Sequence, residues 1–500
     1  MHRSVLTALA VAAVCQTAIP AQAADTTPEQ ARALETQLRA WMVGLLGPDV
    51  RVSDRPVQFA PDGEKFRVSA PIIVTRDNKP ETLTVMASAR QIEGGRWAVD
   101  GLRLPLPARF TIMMQPPAEG QKTPALPFPV NYTVTATGQD GNAVWDPSFA
   151  APSTFSYNLS GVRVEATGNK LRQVTEIGRS VSTTTLRPSG SGRVDVVSDT
   201  TTESYMLASK TGDLDEIKVS AQRGRSSGNL TSVSRDRATQ VLQAFIRIGT
   251  VAAAAAPKAG EKAPATPAPM DVAGLRTLLQ AMDGLTSEFT LDQTIDDVVM
   301  SYGAMGGKAS QVSIGMGAKT TAEGIVEAHM DLGMDGLALP DLALGPMADL
   351  IPRRVALRPV ISGVAAKDLL DFTQAAIEAK NGNPPPAAVA KLFSRGGVST
   401  GLESFLLDIA GTTFSGMATV LVPSPDQVSG TGQITAINFD ALMAKANSTP
   451  QLAQAVPVFT FAKGLGRNVD NKLVWDVSYK DGKVVVNGTD LSAMMGGGRK

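Results

Sequence analysis

The chain has 500 residues, with 47 basic and 47 acidic side chains, two histidines and one cysteine. That balance excludes the basic footprint with which nucleic-acid binders neutralise phosphates. With so few imidazoles and thiols, most zinc and thiolate chemistry has almost nothing to build on.

Arg3 supplies a positive charge ahead of an apolar run from Val5 to Ile19, and Ala21-Gln22-Ala23 follows as an A-x-A cleavage site. This order predicts a secretory signal peptide over 1–23, because the run is too short to span a membrane and small residues follow it. Val14 precedes Cys15 where a lipoprotein signal needs a small residue, so lipid anchoring is not expected. Cleavage removes Arg3, His2 and the only cysteine; it leaves a net charge near −1 and His329 as the one histidine. An exported, periplasmic protein of this composition is held by its core rather than by disulfides. Its length suggests about two to four domains. The most apolar later stretch, TQVLQAFIRIGTVAAAAA, carries Arg247 and is largely alanine, which predicts an amphipathic helix and no transmembrane segment after cleavage.

In chain order, Thr27 and Gln30 have capping-box spacing around Pro28. Leu34, Leu38, Trp41, Met42 and Leu45 then recur on one face, so a helix is predicted up to Gly47-Pro48. The period changes to two after it. Hairpins are predicted over 57–71 with a turn at Asp62-Gly63, over 83–104 at Gly94-Gly95, and over 132–145 near Asp140-Gly141. Up to about residue 233, the runs FSYNLSGVRVEA, VSTTTLRP, GRVDVVSD, ESYMLASK and DEIKVSAQ predict short antiparallel strands at about ten-residue spacing. A helix returns over 235–256, and PKAGEKAPATPAP reads as a linker.

The remainder opens with a helix over 271–284 and continues in strands. It steps twice from strand into helix, from VALRPVISGV into AKDLLDFTQAAIEAK and from GTGQITAI into NFDALMAKANS. A last helix over 449–465 should be kinked or broken at Pro457, and a hairpin over Asp481-Gly482 closes the chain. The predicted fold is α+β: large, curved antiparallel sheets with a few packed helices. It falls in two halves, 24–256 and 271–500, around a linker at 257–270.

The motif-like strings do not assemble a catalyst. His329 would share a strand face with Ile325, Glu327 and Asp331, and a lone histidine without a nucleophile and an orienting partner is expected to be structural or exposed. Gly224-Arg225-Ser226-Ser227-Gly228 matches G-x-S-x-G but is not followed by a helix, and reads as a flexible hairpin loop. GAMGGKAS and GMGAKTT depart from a phosphate loop at Ala309 and Ala318. Asp331, Gly333, Asp335 and Gly336 hint at a calcium loop, but Leu342 stands where the bidentate glutamate is needed. The densest acidic groups, Asp296-Asp297 and Asp213, Asp215 and Glu216, read as turns or helix starts. No catalytic residue, cofactor or metal site is predicted.

What remains is apolar surface. In LVWDVSYKDGKVVVNG, a type I′ loop at Asp481-Gly482 sets Tyr479 opposite Val484 and Val477 opposite Val486. Trp475, Val477, Tyr479, Val484 and Val486 then form one face, with Asp476 and Asn487 on the other. Methionines 300, 305, 316, 330, 334, 347 and 417 also fall in the second half. Core packing is the expectation for them, because a large sheet buries one face. The sharper alternative is a sheet groove for acyl chains, which adaptable methionine suits.

The closing segment, an apolar strand, a DG turn and a strand ending in VNG, resembles that of AsmA-like and YdgA-like envelope proteins of Gram-negative bacteria. PRRVALRPVISGVAAKDLLDF is similar too, as is the order of signal, short helix and long antiparallel sheet. The likeness covers the layout of the mature chain and two or three short stretches in detail. It departs in a cleavable signal where many such proteins keep a membrane anchor. It implies a periplasmic protein of outer-membrane biogenesis or lipid handling, and it transfers no functional residues. The expectation is a non-enzymatic envelope protein that binds lipid or another apolar envelope component in a β-sheet groove. The alternatives are a hydrolase using Ser226 or an acidic pair, and a purely structural scaffold.

Overall fold

The computed structural model describes residues 27–46, 58–62, 65–76, 79–114, 128–148, 151–168, 170–190, 192–254, 272–339, 345–379, 383–424 and 426–492. The signal peptide expected over 1–23 and the linker expected over 257–270 lie outside them. Antiparallel strand dominates, in two units, Met1–Ser287 and Glu288–Lys500.

In the first unit, α1 (Pro28–Leu46) starts on a capping box: Thr27 N donates to Gln30 Oε1 at 2.7 Å and Gln30 N to Thr27 Oγ1 at 3.4 Å. Ala31 and Leu34 of this helix pack on Phe66, Val68, Ala87, Ala89, Trp97 and Trp145 of the sheet. The Trp145 indole N–H donates to Gln37 Oε1 at 3.1 Å, which satisfies the one polar atom of a buried ring.

The sheet pairs β1 (Gln58–Asp62), β2 (Lys65–Arg76), β3 (Lys79–Gln91) and β4 (Trp97–Arg103) in sequence. It continues through β7 (Gly138–Asp146) to β8 (Ala151–Gly168), β9 (Leu171–Gly190), β10 (Arg193–Thr211) and β11 (Ile217–Ser234). β5 (Ala108–Met114) pairs with β6 (Phe128–Thr135), and β6 lies on β8 beside β7. The turn expected near Asp140-Gly141 is therefore absent. Both residues lie inside β7, and β6 and β7 follow one another along the same edge of β8. Gly141 serves close approach instead, since a Cβ there would fall 2.5 Å from the Tyr157 ring.

The short strands expected between 155 and 222 are parts of four long ones, β8 to β11. The burial pattern shifts phase within a strand instead of ending it. In β8 the buried positions are odd before Gly161 (Phe155, Tyr157) and even after it (Val162, Ala166). Gly161 sits at φ 55°, a left-handed conformation that looks like a turn in sequence. α2 (Arg235–Ala254) follows β11 and packs against α3 (Val272–Met282).

The second unit is a meander of β12 (Glu288–Tyr302), β13 (Met305–Thr320), β14 (Ile325–Asp335), β15 (Arg354–Ala365), β16 (Val398–Ile409), β17 (Thr412–Ser424) and β18 (Gln427–Ile437). It runs on to β20 (Lys472–Lys480) and β21 (Lys483–Val486), with short β19 (Arg467–Val469) on β20 and β22 (Thr489–Asp490) on β21. The two strand-to-helix steps are present, β15 into α4 (Ala366–Glu378) and β18 into α6 (Phe439–Ser448); α5 (Pro386–Leu392) precedes β16. The helix expected over 449–465 is broken: a 3₁₀ turn at Pro450–Leu452 precedes α7 (Val456–Leu465), which carries Pro457 in its first turn rather than bending there. The closing hairpin has the expected register, with Asp481 and Gly482 at φ 51° and 76°.

Candidate apolar binding face

Period-two alternation gives the sheet of the second unit two unlike faces. Cross-strand rows on one face read Ile295–Val312–Met334–Val355, then Ile314–Leu332–Leu357, then Leu291–Met316–Met330, then Phe289–Ala318–Ala328–Ile361. The same face continues through Phe405, Phe414, Ile434 and Trp475.

The opposite face of β12–β15 carries the charges. Arg358 bridges Asp331 at 3.1 Å and Glu403 at 2.8 Å, Lys319 pairs with Glu327 at 2.9 Å, and Arg354 with Asp335 at 3.0 Å. His329 lies here with Nε2 3.6 Å from Asp331 Oδ2. Gly317 gives it room, since a Cβ there would fall 2.5 Å from the imidazole.

Cover over the apolar face is uneven. At the β18–β21 end Trp475 and Val486 join Ala436, Phe439 and Leu442 in a buried cluster, with Phe459 and Leu465 of α7 packed against it. Phe439 meets Trp475 edge-on at 5.8 Å, and the Trp475 indole N–H donates to Ala462 O at 2.7 Å. At the β12–β15 end Ile295, Val299, Ile314, Met316, Met330, Leu332 and Ile361 are 37–50% exposed. All but Val299, which pairs with Lys308 beyond them, are contiguous through the rows above, and no side chain among them is aromatic.

The closing-hairpin face is thus divided. Trp475 and Val486 are core, Val477 and Val484 are half-buried against it, and Tyr479 at the far end of its strand is 39% exposed. Behind them Asn487 locks the polar side: Asp476 N donates to its Oδ1, and its Nδ2 donates to Leu465 O and Val474 O, all at 2.8 Å. A shallow depression of about 630 Å³ lies on that polar side, lined by Met417, Thr431, Gln433, Arg467, Asp476 and Ser478. Its charged groups are already engaged, Arg467 with Asp476 and Gln433 with Asp476 Oδ1 at 2.8 Å.

The core role expected for the methionines does not hold for six of the seven; Met334 is half-buried. Met316 and Met330 face one another across β13 and β14 on the uncovered surface, and Met300, Met305, Met347 and Met417 are exposed elsewhere. They are 39–61% exposed, which composition alone does not reveal. Ile295, Ile314, Leu332 and Ile361 were not singled out by sequence; their signal was the mostly apolar alternation of β12–β15, interrupted in β12 by Gln293 opposite Ile314.

The other motif-bearing segments are regular strand. Ser226 lies within β11 opposite Thr200, so G-x-S-x-G is neither the expected loop nor an elbow. Asp296 also lies in a strand, accepting from Gln311 Nε2 at 3.0 Å, where a turn or helix start was expected. GMGAKTT runs along β13, and Asp331 and Asp335 belong to β14. Among the described residues no three His, Cys, Asp or Glu side chains group to hold a metal, and no helix is long and apolar enough to cross a membrane. Comparisons with protein-family models, with curated proteins and with solved structures found no match.

Proposed function

We propose that this chain is a non-enzymatic periplasmic envelope protein that holds the acyl chain of a lipid on the apolar face of β12–β15. One observation carries the reading: six large aliphatic and methionine side chains, Ile295, Ile314, Met316, Met330, Leu332 and Ile361, stand exposed and contiguous on a sheet whose other face is charged. Such patches on soluble proteins mark interaction surfaces. Protein partners are anchored by aromatic residues and arginine, and the exposed set has neither. An acyl chain needs only area, each buried methylene contributing about 0.8 kcal/mol. The reading includes export by a cleaved signal, kinship with the AsmA-like and YdgA-like proteins, and an α+β fold in two halves whose sheet curves around its ligand.

The test is mass spectrometry of lipids extracted from the protein purified from periplasm, alongside an Ile314→Asn, Leu332→Asn double variant. Wild type should carry lipid, and the variant should lose most of it while unfolding at the same urea concentration. Wild type that carries no lipid and binds none on addition would end the proposal.

A further inference from the structure

The apolar rows run along the strands from Ala318 to Val312, about 20 Å at ~3.4 Å per residue. Beyond Val312 the face changes character. Ser310 and Lys308 are the next two β13 side chains on it, and both are exposed. Lys308 pairs across the ladder with Val299, and its backbone is held by a two-way bridge to Ala338, N to O at 2.9 and 2.8 Å. On the reverse face of these strands the lysine and arginines are committed to carboxylates. Lys308 has no ion pair and no side-chain hydrogen bond among the described residues. It is the one charged side chain in regular alternation on the apolar face of β12–β15. Nearby Asp297 leaves that alternation through a left-handed backbone at φ 54° and does not pair with the lysine.

Resting on the lipid reading, we infer that the ligand is a single anionic amphiphile. Its chain lies along the Ile314 and Leu332 rows, and its carboxylate or phosphate head reaches the Lys308 ammonium; the Ser310 hydroxyl beside it is already donated to Asp335 O at 3.0 Å. A lone cation at the end of an apolar strip complements such a head in charge, and the strip complements its tail in polarity. The source is a monomer lifted out of its bilayer, because a membrane surface would meet a cluster of cations rather than one.

Competition against a fluorescent fatty acid, with the full chain and three probes of equal length, tests this. Palmitate should bind about three- to five-fold tighter than hexadecanol, the range of one exposed charge contact, and hexadecylamine should bind weakest. Lys308→Gln should remove the preference and leave hexadecanol affinity unchanged. Lys308→Glu should turn the preference toward the amine. Equal binding of palmitate and hexadecanol by wild type, or a preference that survives Lys308→Gln, overturns the head-group assignment and leaves the acyl reading standing. If none of the three competes, or the protein binds anionic vesicles but no monomer, both fall.

Discussion

Strands β9–β11 and strands β12–β15 are built on the same antiparallel ladder and meet water differently. In the first set one face carries the row Tyr157–Ser182–Thr200–Ser226 and the other Asn158–Val181–Thr201–Arg225. Hydroxyls pair across strands, Ser182 with Thr200 and Thr184 with Ser198, each at 3.0 Å. Both rows are mostly polar, and on the first face Tyr157 and Thr184 are buried. In the second set one face is charged and the other is a field of Ile, Leu, Val and Met, so cover is required. Helices α6 and α7 provide it over Trp475, whereas Ile314 is 41% exposed.

The sharpest way to break this contrast is to truncate along the apolar face. Trp475→Ala should cost about 3–5 kcal/mol in urea unfolding, whereas Leu332→Ala should stay within about 0.5 kcal/mol, as surface positions do. Equal losses would make the patch core and remove the contrast. Next in size, Ser198→Ala takes the hydroxyl partner from Thr184, which is 1% exposed, and should cost about 1–3 kcal/mol. A neutral result would mean that the hydroxyl ladder of the first unit is ornament. Gly482→Ala puts a Cβ into a left-handed turn position and should cost about 1–2 kcal/mol. That loss should be matched by Trp475→Ala in kind, with both lowering the same unfolding transition.

The smallest effect is in pH. Burial raises the Tyr157 hydroxyl above the ordinary tyrosine value of 10.0, and its O–H donates to Gln139 Oε1 at 2.5 Å. A raised folded value means the folded state keeps its proton longer. The stability it contributes is complete below that ordinary value and is lost as the pH climbs through the higher folded one. Alkaline titration of unfolding should show this decline, and Tyr157→Phe should flatten it. An unchanged slope in the variant would place the titrating group elsewhere.

Features written in neighbouring residues were legible in the sequence. The Thr27–Gln30 capping box, the Asp481-Gly482 turn and the break at Pro457 each follow from local sterics and hydrogen bonding. Strand length was not legible, because Gly161 in β8 looks like a turn and instead marks a change of buried face. The Asp140-Gly141 pair misled for a related reason: its glycine makes room for Tyr157 within a strand. The site was half legible. Alternation says which side chains share a face, but the presence of a covering helix is settled by parts of the chain far away. The aromatic hairpin drew attention first, yet its large rings are what a helix covers best, and the quieter aliphatic strands were left open.

Fixed register has one further consequence. From β12 to β20 each strand is hydrogen-bonded to the next, so Trp475 under its helices sets the orientation of Ile295, seven strands away. Losing a single residue from the middle of β14 would turn His329 and Asp331 toward the greasy side and Met330 and Leu332 toward the charged one. Residue count on these strands therefore matters before residue identity. Many aliphatic spellings of the patch are interchangeable, but a frame shift of one erases it, and the buried tryptophan is the fixed point from which that frame is read.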